Sequence, residues 1–95
     1  MSKRNPHNKQ REILREMLIG ARKNNGITQA QLAMQLNKSQ SFVSKYESGE
    51  RFIDLWEVHQ ICQALNHSFI ELTNGFNLAV NEESAHYNFN SKNQR

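Results

Sequence analysis

Two short amphipathic segments joined by a tight turn constrain the fold of this chain more than any other feature. Apolar side chains recur at three- and four-residue spacing over residues 28–36 and 39–48, which is the period of a helix. Thr28 opens a capping-box pattern and Ser39 is suited to cap the second segment. Asn37 tolerates the left-handed backbone region that a tight turn needs. The pattern therefore predicts two short helices with a sharp turn between them.

Three more helices are expected on the same grounds, and no sheet. We expect a first amphipathic helix over residues 8–23, a fourth capped by Asp54, and a short fifth over 68–72. The "NG" at 74–75 is a typical helix-ending sequence, so the fifth helix is predicted to stop there. The predicted inner face of the fourth helix comprises Leu55, Val58, Ile61, Cys62 and Leu65.

The composition divides the chain into an arm, one globular domain and a tail. We expect a flexible basic arm over residues 1–8, a single domain over 9–80 and a polar tail without regular structure over 81–95. No apolar run approaches the roughly 20 residues of a membrane span, and the basic start lacks the apolar stretch of a signal peptide. With Cys62 as its one cysteine, the chain cannot form an intrachain disulfide, which fits a cytoplasmic location.

Charge is distributed unevenly along the chain. Residues 1–51 carry ten Lys and Arg against four acidic residues, whereas residues 52–95 carry two against five. The first part therefore has a net charge of +6 and the second part −3. A polyanion would be expected to bind the basic part, although a solvated charged surface is the simpler interpretation of any single lysine.

The third predicted helix presents an outer face of small polar side chains. At about 100° per residue, Val43 and Tyr46 point to the core, and the serines and an amide point away from it. Short side chains allow close approach of the helix backbone. Gln can bond adenine bidentately, Ser can bond any base edge, and Lys reaches guanine acceptors. Such a face suits the major groove, and an ordinary solvent-exposed face has a similar composition. The candidate base-contacting residues are Gln40, Ser41, Ser44 and Lys45.

The stretch "ITQAQLAMQLNKSQSFVSKYESGER" resembles the Cro/phage-repressor-like helix-turn-helix family, which has the lambda repressor-like DNA-binding fold. The resemblance extends over about residues 12–75. It implies an all-α, compact five-helix domain whose second helix lies across the DNA backbone while the third enters the major groove. The sequence departs from the family at the turn, where Asn37 replaces a common glycine and Lys38 a usually apolar residue.

The resemblance also implies roles for individual residues. Arg22 matches an arginine that pairs in relatives with the glutamate at the position of Glu47, so we expect a structural ion pair between the first and third helices. Base contacts are expected from the four residues of the outer face named above. Phosphate contacts are expected from Thr28, Gln29, Ser39 and Ser48, and also from Arg22, Lys38 and Arg51.

The function that this resemblance implies is sequence-specific regulation of transcription, with repression as the expected effect. Double-stranded DNA is the expected partner, bound by a homodimer that reads a palindrome with two recognition helices about 34 Å apart. The alternative is an antitoxin or bridging-type module that binds a partner protein through residues 76–95. The candidate dimer contacts are Phe69, Ile70, Phe76, Leu78 and Val80.

Metal, cofactor and catalytic sites are not expected. His59, Cys62 and His67 lack a fourth ligand and the paired spacing of zinc sites. The sequence contains no Ser/His/Asp set, Gly-rich phosphate loop or paired-carboxylate cleft, so we expect no enzyme activity and no cofactor.

Three features have two readings each. Phe42 either touches a thymine methyl group or packs beneath the second helix. Trp56 is either a partly exposed aromatic or an anchor for another subunit. The basic residues near the start either keep the chain soluble or clamp a phosphate or minor groove. These basic residues are Lys3, Arg4, Lys9 and Arg11.

Overall fold

The computed structural model describes residues 8–88 and contains five α-helices and no strand within that range. The helices are α1 Lys9–Asn24, α2 Gln29–Leu36, α3 Gln40–Ser48, α4 Leu55–Ala64 and α5 Phe69–Asn88. The predicted all-α, five-helix fold is confirmed. Most of the predicted N-terminal arm and the end of the predicted tail lie outside the described residues.

The helix ends follow the caps that the sequence predicts. The Thr28 hydroxyl accepts from the Gln31 amide while Gln31 reaches back to the Thr28 amide, and Asp54 forms the same box with Glu57. The Ser39 hydroxyl accepts from the Phe42 amide at 3.3 Å. Asn37 takes the left-handed conformation at φ 59°, which closes α2 and begins α3 after a short turn.

The core forms where α1, α2, α3 and α4 converge. Leu18, Leu32, Val43 and Ile61 come from different helices and are fully buried. α2 packs mainly against α3 and α4, and Ala33 is buried in this region, where its small side chain lets helices approach closely. α5 packs against α1 and α4 and covers the other side of the core.

The predicted fifth helix was too short, because α5 continues to Asn88 instead of ending at the "NG" of residues 74–75. Positive φ angles among the described glycines occur at Gly26 and Gly49, and Gly75 is helical. A Cβ at Gly75 would lie 2.9 Å from the Met17 Cε, so the end of the Met17 side chain packs beside this glycine. Part of the predicted irregular tail, residues 81–88, is therefore helical.

One other expectation needs correction. Leu55 was assigned to the inner face of α4, but it is 71% exposed because it occupies the first helical position, at the edge of the core. Lys9 and Arg11 lie in the first turn of α1, within the helix predicted over residues 8–23.

No helix within the described part of the chain is both long enough and apolar enough to span a membrane.

Candidate nucleic-acid interface

Among residues 8–88, none covers the outer face of α3. Gln40, Ser41, Ser44 and Lys45 are all exposed, and they lie together on the side of α3 that points away from the core. Beneath them, Val43 and Tyr46 are fully buried. The structure therefore brings together the four residues that the sequence predicts for base contacts. A continuous face of short polar side chains and one cation is chemically able to bond base edges in a major groove.

A buried ion pair fixes α3 against α1. The Nε and Nη2 atoms of Arg22 donate to the two carboxylate oxygens of Glu47, at 2.7 and 3.1 Å. Arg22 Nη1 donates to the carbonyl oxygen of Ile27 at 2.8 Å, so one guanidinium holds the end of α1, the start of α2 and α3 together. Gln29 Nε2 also donates to Glu47, at 2.8 Å. Charge-assisted, bidentate bonds of this kind restrict the orientation of α3 tightly.

This network changes the roles expected for two residues. Arg22 was expected to contact a phosphate as well as Glu47, but its side chain is only 10% exposed and all three of its nitrogens donate within the protein. We therefore withdraw the phosphate contact for Arg22. Gln29 uses its amide nitrogen for Glu47, which leaves its carbonyl oxygen and one amide hydrogen for other partners.

The remaining residues expected at phosphates lie around the edges of α3. Thr28 and Ser39 are exposed N-caps, so their hydroxyls sit beside the amides and the positive ends of α2 and α3. Ser48 is exposed at the other end of α3, where its hydroxyl donates to the Lys45 carbonyl oxygen at 3.0 Å. Lys38 is exposed in the turn, with its Nζ 5.1 Å from the centre of the Phe42 ring.

Arg51 is tied to α4 rather than free. Its two terminal nitrogens donate to the carboxylate of Glu57, at 3.2 and 2.9 Å, and its guanidinium carbon lies 4.6 Å from the centre of the Phe42 ring. These hydrogen bonds hold the pKa of the Glu57 carboxyl below its usual range. A DNA phosphate that contacts Arg51 would have to share its guanidinium with Glu57. No local pattern in the sequence indicates this pair, because it depends on how the loop between α3 and α4 turns back.

Phe42 packs against the protein. It is half-buried and meets the Tyr46 ring edge-on, with 5.6 Å between the ring centres. The ring therefore packs against its own helix and the core, and a contact with the second helix or with a thymine methyl group stays a prediction.

The aromatic and titratable residues of α4 form a separate cluster. Trp56 is 63% exposed and stacks on His59 at 5.7 Å, and His59 meets the edge of the Phe69 ring at 5.0 Å. No group of three or more metal-ligating side chains occurs among the described residues. Burial raises the pKa of the Cys62 thiol, which disfavours the thiolate that metal binding requires.

A protein family and two solved structures resemble this chain. A helix-turn-helix family profile matches residues 18–72. An XRE-family like protein from Pseudomonas syringae pv. tomato str. DC3000 has a similar structure, with a TM-score of 0.74 and 36% identity over 77% of this chain and 89% of that one. The clp gene regulator ClgR from Corynebacterium glutamicum has a TM-score of 0.61 and 27% identity, over 92% of this chain and 98% of that one. No curated protein sequence matches the chain.

Proposed function

Because the chain belongs to the helix-turn-helix family and is a DNA-binding transcriptional regulator, we propose that it recognises a specific duplex sequence by inserting α3 into the major groove. The observation that carries this proposal is the exposed polar face of α3 above a rigid, fully buried support. A helix held this firmly loses little freedom on binding, which favours discrimination between bases.

Within this proposal, the residues on the outer face of α3 make different contacts with the bases. Gln40 stands in the first turn, where its amide can bond an adenine edge bidentately. Ser41 and Ser44 are short enough for a base edge to come close to the helix. Lys45 lies nearer the C-terminal end of α3 and reaches guanine acceptors or a phosphate.

Phosphate contacts fix the register of α3 in the groove. Thr28 and Ser39 contribute hydroxyls at helix N-termini, where backbone amides also point outward. Lys38 contributes an exposed ammonium group from the turn, and Gln29 contributes the part of its amide that Glu47 leaves free. Ser48 and Arg51 are secondary candidates, because both are already bonded within the protein.

We propose further that the protein acts as a homodimer on a palindromic site. One recognition helix covers only a few base pairs, and two related by a two-fold axis give an operator with half-sites about 34 Å apart. α5 supplies exposed apolar side chains for this contact, since Ile70 and Leu78 are each 69% exposed. A chain that stays monomeric on DNA would instead favour the alternative, a module that uses residues 76–95 to bind a partner protein.

Repression is the regulatory effect that follows most directly from this architecture. A small cytoplasmic domain that occupies an operator excludes other proteins from the same DNA by its volume alone. This mode of action requires no enzyme activity, cofactor or inducer. Reporter expression from a promoter that contains the selected site tests it, with a decrease expected and an increase contradicting it.

Selection from random duplexes tests the proposal as a whole. Wild-type protein should enrich one palindromic sequence, and its affinity for that sequence should exceed that for a scrambled duplex by about a thousandfold or more. Gln40→Ala should weaken the preference for one base at a single position of each half-site. Gln35→Ala, which removes an exposed amide on α2, is the matched control. Equal affinity of the wild type for all duplexes would refute sequence-specific recognition.

A further inference from the structure

A small cleft between α1 and the loop after α3 contains an unusual concentration of arginine. This cleft, which we call the arginine cleft, has a volume of about 20 Å³ and is lined by Arg11, Arg15 and Arg51. Its other walls are apolar or aromatic. These walls are formed by Leu14, Tyr46, Phe52 and Ile53.

The loop that follows α3 holds two of these guanidinium groups in place. Arg11 stacks on Phe52, with its guanidinium carbon 3.8 Å from the ring centre. Arg15 lies against Gly49, where an added Cβ would be 2.9 Å from the guanidinium carbon. Gly49 has a φ of 87° and ends α3, so the position of Arg15 is coupled directly to the end of the recognition helix. Stacked or packed guanidinium groups keep their donors oriented outward.

The cleft has an excess of positive charge and unused hydrogen-bonding groups. Arg51 is paired with Glu57, but neither Arg11 nor Arg15 has a carboxylate within ion-pair distance among the described residues. The hydroxyl of Tyr46 is buried and has no hydrogen-bond partner among the described residues. Burial raises the pKa of this hydroxyl, so it stays a neutral donor. Such a combination of donors is suited to an anion.

The arginine cleft lies on one particular side of α3. Glu47, which contacts Gln29 at the start of α2, marks one flank of the outer face. Phe42 and Gly49 mark the opposite flank, because at about 100° per residue they are turned by about 140° and about 160° from Glu47. A helix in the major groove has one phosphate backbone on each side. The start of α2 therefore faces one backbone and the arginine cleft faces the other.

We infer that Arg11 and Arg15 bind phosphates of the DNA strand across the groove from the strand that the start of α2 approaches. This inference rests on the proposed function and adds to it phosphate contacts on the second DNA strand. The two arginines come from α1, outside the segment that forms the helix-turn-helix. Phe52 and Gly49 act as positioning residues, since they hold the guanidinium groups without touching the DNA.

The salt dependence of DNA binding tests this assignment. The dissociation constant for the selected duplex is measured from about 0.05 to 0.2 M salt, where each phosphate contact contributes about 0.9 to the slope of log K against log [salt]. Arg11→Gln/Arg15→Gln should lower the slope by about 1.8 per bound protomer and weaken binding at least about tenfold at 0.1 M salt. The control is Lys23→Gln, which removes an exposed charge from the opposite end of α1.

A slope for the arginine variant equal to that of the control would overturn the inference, while specific binding by the wild type would leave the proposed function intact. Failure of the wild type to bind any duplex specifically would instead remove the proposed function. Ethylation interference on the wild type needs no variant, and should show interfering phosphates on both strands beside each half-site. Interference on one strand alone would contradict the assignment.

One more titration distinguishes DNA phosphates from the phosphate of a free ligand as the group that the cleft binds. Inorganic phosphate is added to the free protein while NMR signals of Arg11 and Arg15 are followed. Saturation at millimolar phosphate, together with an unchanged DNA slope in the arginine variant, would assign the cleft to a free phosphorylated ligand and overturn the DNA assignment.

Discussion

Removal of the Arg22 guanidinium should destabilise the whole domain, because the Glu47 carboxylate would then remain buried without its cation. The side chains of these residues are 10% and 6% exposed, so water cannot replace the lost partner. Gln29 would still donate one hydrogen bond to Glu47, and the Ile27 carbonyl oxygen would lose its donor. Breaking a buried pair from one side costs about 3–5 kcal/mol, and because the Gln29 bond remains, the expected loss is about 3 kcal/mol.

A loss of that size is a large part of the total stability. A domain of this length unfolds with a free energy of about 5–12 kcal/mol, and each kcal/mol shifts the melting temperature by about 4–8 °C. Arg22→Met should therefore lower Tm by about 12–24 °C. Methionine keeps the apolar stem in place, so the change isolates the charged group.

Urea unfolding followed by far-UV circular dichroism gives the free energies for a double-mutant cycle. Arg22→Met and Glu47→Met should each destabilise the domain, whereas the double variant should be much more stable than their summed effects, with a coupling of about 2 kcal/mol or more. Additive effects, or a Tm of Arg22→Met within about 2 °C of the wild type, would refute the reasoning. The single variants should also bind DNA more weakly, since α3 loses its anchor to α1.

Three further changes test other parts of the structure. Gly49→Ala places a Cβ in the left-handed region and should cost about 1–2 kcal/mol in urea unfolding, whereas Gly20→Ala, inside α1 with open space around it, should add up to about 1 kcal/mol. Glu57→Gln should weaken the acid dependence of stability: Arg51 lowers the folded-state pKa of Glu57, so its contribution is present above the unfolded pKa and disappears as pH falls through the folded one. A wild-type acid profile in this variant would contradict that. Tyr46→Phe should remove a loss of stability that begins as pH rises through about 10, because burial raises the pKa of this hydroxyl, and an unchanged alkaline profile would contradict it.

Local signals in the sequence were sufficient for the parts of the fold that local chemistry controls. The caps at Thr28, Ser39 and Asp54 depend on hydrogen bonds between residues three positions apart, so their positions could be read from the chain. The orientation of α3 followed from helical periodicity, which placed Val43 and Tyr46 inside.

Features that depend on tertiary packing could not be predicted in the same way. The "NG" at 74–75 has the local chemistry of a helix end, yet α5 continues through it, with the Met17 side chain of α1 packed beside Gly75. The pairing of Arg51 with Glu57 and the stacking of Arg11 on Phe52 both depend on the path of one loop. For these pairs the sequence offers residue types but no spacing that brings them together.

An NMR titration of isotope-labelled protein with the selected duplex tests the central claim most directly. The backbone amides of residues 39–48 should shift most and those at the start of α2 next, while the amides around Trp56 and His59 on α4 should change little. Large shifts on α4 and α5 with an unperturbed α3 would contradict the account, because the outer side of α3 would then not be the surface that meets DNA.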